Sequence, residues 1–319
     1  MKTRNVLSFT FLIITLFINS CGNKTTSSDG KLEGYITISG GFAMYPLAVK
    51  WAEEFKKINP DVRIDISAGG TGKGIADVLS GNISLAMVSR GINEEEVKKG
   101  AFGIAVSKDA VLPTINQKNP VLAEIIKTGV KKEKLEALWI TQTIKTWGEV
   151  VNTNDKTPVQ VFTRSDAGGA PETWAKFFGK SQEDLKGTGI FGDPGVANAV
   201  KGDIAGIGFN NAVYVYDLKT KGFSEGIRPL PIDIDGNGIL DPNEDFYQNV
   251  DSLEKAVADG RYPSPPARDS YFVTKGKPTD AATIAFLNYV LTDGQKFVSE
   301  LGSIVLPADR IEVEKAKLK

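Results

Sequence analysis

Three glycine-rich stretches hold the residues best suited to grip a small anion: Ser39-Gly40-Gly41-Phe42-Ala43, Gly69-Gly70-Thr71-Gly72-Lys73-Gly74 and Arg164-Ser165-Asp166-Ala167-Gly168-Gly169-Ala170. Each follows a strand-like run and precedes a helix-like one. A helix start presents unpaired N–H groups and the positive end of the helix dipole, and glycine lets backbone approach a ligand closely. Arg164 adds a planar fork of donors that matches an oxyanion. One such loop alone is ordinary turn chemistry, but three converging on a cleft would dehydrate and hold a tetrahedral oxyanion. The second loop is not a nucleotide phosphate loop. Gly74 stands where Ser or Thr must follow Gly72-Lys73, and Ser67 stands where that pattern needs its first Gly.

A fourth stretch is rich in oxygen ligands. Asp233, Asp235, Asn237, Asp241 and Glu244 fall at positions 1, 3, 5, 9 and 12 of a twelve-residue loop with Gly238 at position 6, the spacing of an EF-hand calcium loop. Residues 227–232 before it read as a strand, so a complete helix–loop–helix is not expected. A structural Ca2+ is the ion this spacing implies; an unliganded acidic turn is the alternative.

The composition narrows the function. Histidine is absent from the chain, which removes the commonest general base and metal ligand. No nucleophile–base pair is evident, so no catalytic residue, no catalytic cofactor and no enzyme activity are expected. Val6 to Ile18 is an uncharged, apolar run of thirteen residues behind Lys2 and Arg4. It is shorter than the roughly 20 residues of a membrane-spanning helix and has the layout of an export signal. Ile18-Asn19-Ser20-Cys21 resembles a lipobox, and Cys21 is the only cysteine in the chain, which makes it the expected lipidation site. Losing residues 1–20 removes Lys2 and Arg4 and no acid, leaving 36 basic against 39 acidic residues. That balance gives no global field for nucleic acid.

The elements that must position these groups alternate. Residues 35–38 read as a strand, and a helix from Pro46 places Leu47, Trp51, Phe55 and Ile58 on one face. Val62, Ile64 and Ile66 alternate as a strand, a helix is expected over 75–79, and 83–88 reads as a strand. Further on, residues 159–163 and 204–209 read as strands, 171–178 and 252–258 as helices, and 281–301 as mainly helical. This order implies an α/β fold with parallel pairing. The four tryptophans are expected in the core, Glu94-Glu95-Glu96 on a solvated helix start, and Asp166 either orienting Arg164 or capping the next helix. Arg90 reads as a surface or hinge charge or a second anion contact.

Residues 39–55, 68–75, 87–90, 163–169, 206–209 and 293–298 together resemble, in order and spacing, the phosphate-binding proteins of bacterial high-affinity phosphate ABC transporters. The resemblance implies a two-lobed, type II periplasmic-binding fold with the ligand in the cleft between lobes. It implies a signal peptide over 1–20, a lipidated tether over 21–32, one lobe from 33–108 and 267–319, and the other from 109–266, with the calcium-like loop 233–244 in the latter. Carried over residue by residue, it places Phe42 and Ala43 in the first ligand loop, Thr71 as a hydroxyl donor and Ser89 beside the ligand. Arg164 becomes the cationic contact, and Gly168, Gly169 and Ala170 supply backbone N–H groups. The implied partners are phosphate, an ABC permease and a membrane through the lipid anchor, with the protein extracytoplasmic and facing the periplasm. The chain departs from the family where hydroxyl residues are common: it has Gly41-Phe42-Ala43 and Gly168-Gly169-Ala170. Some relatives carry Asp where Ser89 stands, so weaker exclusion of sulfate is expected here. Another tetrahedral oxyanion, or a calcium-dependent surface interaction module, are the alternative functions.

Overall fold

A computed structural model describes residues 31–319; the expected export signal and lipidation site Cys21 lie outside the described residues. Strands β1 (Gly34–Gly40), β2 (Val62–Ala68) and β3 (Leu85–Val88) pair in parallel, with β1 in the middle. Next along the chain come β4 (Ala101–Asn116), β5 (Val130–Lys131), β6 (Gln160–Arg164), β7 (Thr188–Ile190), β8 (Gly206–Asn211), β9 (Ile227–Pro229), β10 (Ile232–Asp233) and β11 (Ala267–Lys275). The main sheet runs β2-β1-β3-β11-β4-β8-β6-β7, β9 pairs with β4, and β5 and β10 form a separate parallel pair.

The fold is α/β and two-lobed. The sheet is mixed rather than parallel, because β11 runs antiparallel to both β3 and β4, and β4 runs antiparallel to β8. Two cores sit along it. One draws on Ile36, Trp51, Phe55, Val106, Phe272 and Phe286, the other on Ala110, Trp139, Trp174, Phe209, Tyr262 and Ala267. β4 and β11 therefore pass from one core to the other, and these two antiparallel strands are the bridge between lobes. β4 is buried along nearly its whole length, so it lacks the polar alternation that marks a half-buried strand.

All four tryptophans are buried as expected. Trp51, Trp139 and Trp147 each donate their indole N–H to a carbonyl, of Gly294, Phe162 and Ala205 respectively, at 2.8–3.0 Å. Each would cost about 3–5 kcal/mol to truncate to Ala. Two expectations shift. Ile58 ends the helix Tyr45–Ile58 and is exposed, while Leu47, Trp51 and Phe55 face the core. Leu32, assigned to the tether, packs against the first lobe's core. Among the described residues no helix is long and apolar enough to cross a membrane.

Candidate anion-binding site

Each glycine-rich loop turns the chain from a strand into a helix at the same edge. β1 ends at Gly40, whose φ of +137° and whose 2.4 Å approach of a would-be Cβ to the Met87 carbonyl admit only glycine. A single 3-10 turn, Phe42–Met44, then leads into Tyr45–Ile58. Gly69 and Gly70 both donate to the Gly40 carbonyl at 3.0 Å, which fixes the second loop beside the first. The helix after it begins at Thr71, four residues before the expected Ile75. Gly72 and Gly74 are weak helix formers, and their pattern concealed a first turn that tertiary contacts hold. The third loop behaves alike: the helix Gly169–Phe177 starts two residues before Pro171, with Gly168 at its N-cap.

These starts converge on one small cavity. The structure places all eight residues proposed as ligand contacts on its wall: Phe42, Ala43, Thr71, Ser89, Arg164, Gly168, Gly169 and Ala170. The cavity is small, with about 190 Å³ of space between its walls, which leaves no room for a large organic solute. Gly169 comes so near the opposite lobe that a Cβ would sit 2.4 Å from the Ser89 carbonyl. Thr71 Oγ1 accepts from the Ser89 N–H at 3.5 Å, and the Ser270 and Ser89 hydroxyls are 3.3 Å apart.

Arg164 is buried and held by two carboxylates. Its Nε donates to Asp166 Oδ1 at 2.8 Å, its Nη2 to Asp166 Oδ2, and its Nη1 to Asp193 Oδ2 at 2.6 Å. Asp166 thus orients the guanidinium, and its Oδ1 also receives the Gly192 N–H at 2.9 Å. Burial pushes the Asp166 carboxyl up, but the guanidinium outweighs it and holds the group below the usual carboxylate range. The Arg164 guanidinium lies 5.4 Å from the centre of the Phe42 ring.

A domain match to the PBP superfamily spans residues 25–294. The chain belongs to that superfamily. Among curated proteins it is 28% identical to the phosphate-binding protein PstS of Bacillus subtilis strain 168, over 92% of this chain and 90% of that one. It is 26% identical to the PstS of Pseudomonas aeruginosa PAO1, over 87% and 84%. Among solved structures, a Clostridium perfringens protein assigned as the substrate-binding component of a phosphate ABC transporter, with phosphate bound, superposes with a TM-score of 0.71. That match has 22% identity and covers 86% of this chain and 100% of that one. An ABC-type phosphate transport receptor from Vibrio cholerae gives 0.60 at 21% identity, over 85% and 100%.

This PBP-superfamily cavity has three further walls that the sequence reading missed: Asp193, Asn211 and Arg268. Arg268 lies on β11. Its Nη1 donates to the Gly169 carbonyl at 2.8 Å, and its Nη2 to Asp109 Oδ2 at 2.9 Å and to Asn211 Oδ1. Its Nε is buried and has no protein partner. Burial pushes the Asp109 carboxyl up even though Arg268 opposes it. None of the three lies in the three glycine loops singled out from the sequence, although Asp193 sits between Gly192 and Gly195 at a further strand-to-helix turn that opens the helix Gly192–Gly202. For Arg268 the one local signal was a lone Arg entering the strand-like run Ser270-Tyr271-Phe272-Val273.

Arg90 lies outside the cavity wall. It pairs with Glu96 at 2.6 Å and, across the lobes, with Glu172 at 2.6 Å. Glu96 is therefore not simply solvated; it closes a capping box and holds Arg90.

The calcium-like loop follows β10. Carboxylate oxygens of Asp233, Asp235 and Glu244 all lie within 4.8 Å of one another. The Asp241 carboxylate is not part of that group. Asn237 Oδ1 receives the Ile239 N–H at 2.7 Å, and Asp241 Oδ1 receives the Asn243 N–H at 2.9 Å.

Proposed function

We propose that this chain is the extracytoplasmic solute-binding component of an ABC transporter, held to the membrane through Cys21, and that it closes its lobes on hydrogen phosphate for delivery to the permease. The observation that carries the reading is the convergence of three helix starts and two buried arginines on one small cavity, with Arg268 Nε left as an unsatisfied donor. The names of the B. subtilis and P. aeruginosa relatives point the same way.

Both arginines are already paired, Arg164 with Asp166 and Asp193 and Arg268 with Asp109. Excess positive charge is thus not what would select the ligand. Recognition would rest on directed donors: the N–H groups of the three helix starts, the Thr71 and Ser89 hydroxyls and the free Arg268 Nε. A dianion gives up strong hydration, and many aligned donors must replace it. Asp193 supplies what the sequence reading lacked, a carboxylate on the cavity wall able to accept the ligand's remaining proton. This replaces the expectation of weak sulfate exclusion with one of strong exclusion, since sulfate at neutral pH carries no such proton.

Calorimetry on ligand-stripped protein tests the reading. Saturable phosphate binding is expected, displaced by arsenate and far less by sulfate. Saturable binding of a different anion that phosphate cannot displace would refute the phosphate assignment. For the anchor, Cys21→Ser should release the protein from membranes and abolish acyl labelling; label retained in the variant would refute it.

A further inference from the structure

The acidic loop over 233–244 plays no part in the anion cavity, since none of its residues lines it. We propose that Asp233, Asp235 and Glu244 form a Ca2+ site that clamps this loop onto the second lobe.

The donor set is oxygen only, with three carboxylates and no nitrogen or sulfur, which suits a hard cation. The oxygens lie within 4.8 Å of one another, close enough to share one ion. The twelve-residue spacing from Asp233 to Glu244 is that of a calcium loop, whereas Mg2+ usually keeps several waters and only one or two carboxylates. The independent indication of a ligand is Glu244. Its side chain is 95% buried, given a relative exposure of 5%, and its Oε1 receives the N–H groups of Ile234 and Asp235 at 2.7 and 2.9 Å. Its Oε2, equally buried, has no partner. A buried carboxylate oxygen with no donor, beside two further carboxylates, is costly without a cation. Among the described residues the hydrogen-bond partners of Asp233, Asp235 and Glu244 are N–H groups of the loop itself, and no Lys or Arg pairs with them. The neighbouring Lys131 gives its ammonium to the Gly236 carbonyl instead.

The loop is already braced to receive an ion. Asp233 sits on β10 against Lys131 of β5, and its carboxylate takes the N–H groups of Gly236 and Gly238 at 2.8 Å each. Leu240 donates to the Lys127 carbonyl at 3.1 Å. Just after Glu244, Phe246 and Tyr247 enter the core, where the Tyr247 hydroxyl oxygen accepts the Ile232 N–H at 3.1 Å and the Tyr247 carbonyl accepts from the Tyr216 hydroxyl at 2.8 Å. An ion bridging the start and end of the loop would therefore join β10 to this aromatic cluster. Water and main-chain carbonyls would fill the remaining positions, as is usual for Ca2+.

The test uses the full mature chain stripped with a chelator and then titrated with calcium alone. One equivalent should bind saturably below about 5 mM, in the range of extracellular calcium modules, and the melting temperature should rise by about 2 °C or more. Asp235→Asn, an exposed change that leaves the buried residues in place, and Glu244→Gln should each abolish the rise while phosphate affinity stays unchanged. Absence of saturable binding by the native chain, retention of the calcium response in both variants, or an equal response to magnesium would each overturn the assignment.

Discussion

Arg90 Nε and Glu172 Oε2 meet at 2.6 Å across the gap between the lobes. Arg90 follows β3 in the first lobe, and Glu172 lies in the first turn of the helix that begins the third anion loop. Glu96 holds the other edge of the same guanidinium. The pair therefore joins the first lobe to the helix start that lines the anion cavity, and in the proposed function it would break when the lobes part.

Glu172→Gln should weaken phosphate binding by about 3–10-fold, equivalent to about 1 kcal/mol for a partly exposed ion pair. The change should appear mainly as faster dissociation, because the contact belongs to the closed form. Stopped-flow displacement separates the rates; an unchanged off-rate would mean the pair does not act in closure.

Arg268 lines the cavity and also pairs with the buried Asp109, so a role in the proposed anion binding can be separated from a role in the fold. Arg268→Gln removes the free Nε donor and leaves the buried Asp109 carboxylate without its cation, at a cost of about 3–5 kcal/mol in stability. Adding Asp109→Asn removes the stranded charge. Denaturant melts of the double variant should therefore recover most of the stability, while calorimetry should show phosphate affinity still at least 10-fold below native. Full recovery of affinity would make Arg268 a purely structural residue.

The glycine loops were legible because strand, glycine and helix follow one another within a few residues; the seven expected contacts in those loops, and Ser89 just after β3, line one cavity. Arg268 and Asp193 were not legible. They reach the cavity from β11 and from the helix Gly192–Gly202, so their role depends on contacts far apart in sequence. The bridge strand β4 was hidden for a related reason: both its faces are buried, and Lys108, Asp109 and Pro113 interrupt its apolar run. The early helix starts at Thr71 and Gly169 ran against local propensity, since glycine is chosen there for close approach and not for helix formation. Glu96 read as solvated because its partner Arg90 lies six residues earlier, beyond the one-turn spacing of helical ion pairs.

Asp193→Asn tests how the cavity tells one oxyanion from another. An amide keeps an acceptor toward Arg164 but can donate to a ligand oxygen, so the proton of hydrogen phosphate is no longer required. Competition calorimetry should show phosphate affinity reduced and the preference over sulfate narrowed by about 10-fold or more, the order of a charged hydrogen bond worth about 1.5–3 kcal/mol. Unaltered selectivity would move the proton-accepting role away from Asp193.

Glu254, in the helix Val250–Ala258, sets a pH dependence that does not involve the ligand. Burial pushes its carboxyl up to about 7; Asp251 adds to the shift, while Ser299 and Lys221 oppose it. Its Oε1 is buried without a hydrogen-bond partner. The folded state therefore holds this proton more tightly than the unfolded chain, whose carboxyl titrates near 4.5. Its contribution to stability is complete below about 4.5 and is lost as pH rises through about 7. With no histidine in the chain, few other groups titrate across that window. Glu254→Gln should leave stability nearly unchanged at pH 5 and raise it at pH 8 by about 1 kcal/mol after allowance for the exposed part of the side chain. That corresponds to a gain of about 2–4 °C in melting temperature. Melts of both proteins across the pH range read the difference directly, and parallel curves would show that Glu254 keeps an ordinary carboxylate pKa in the folded protein.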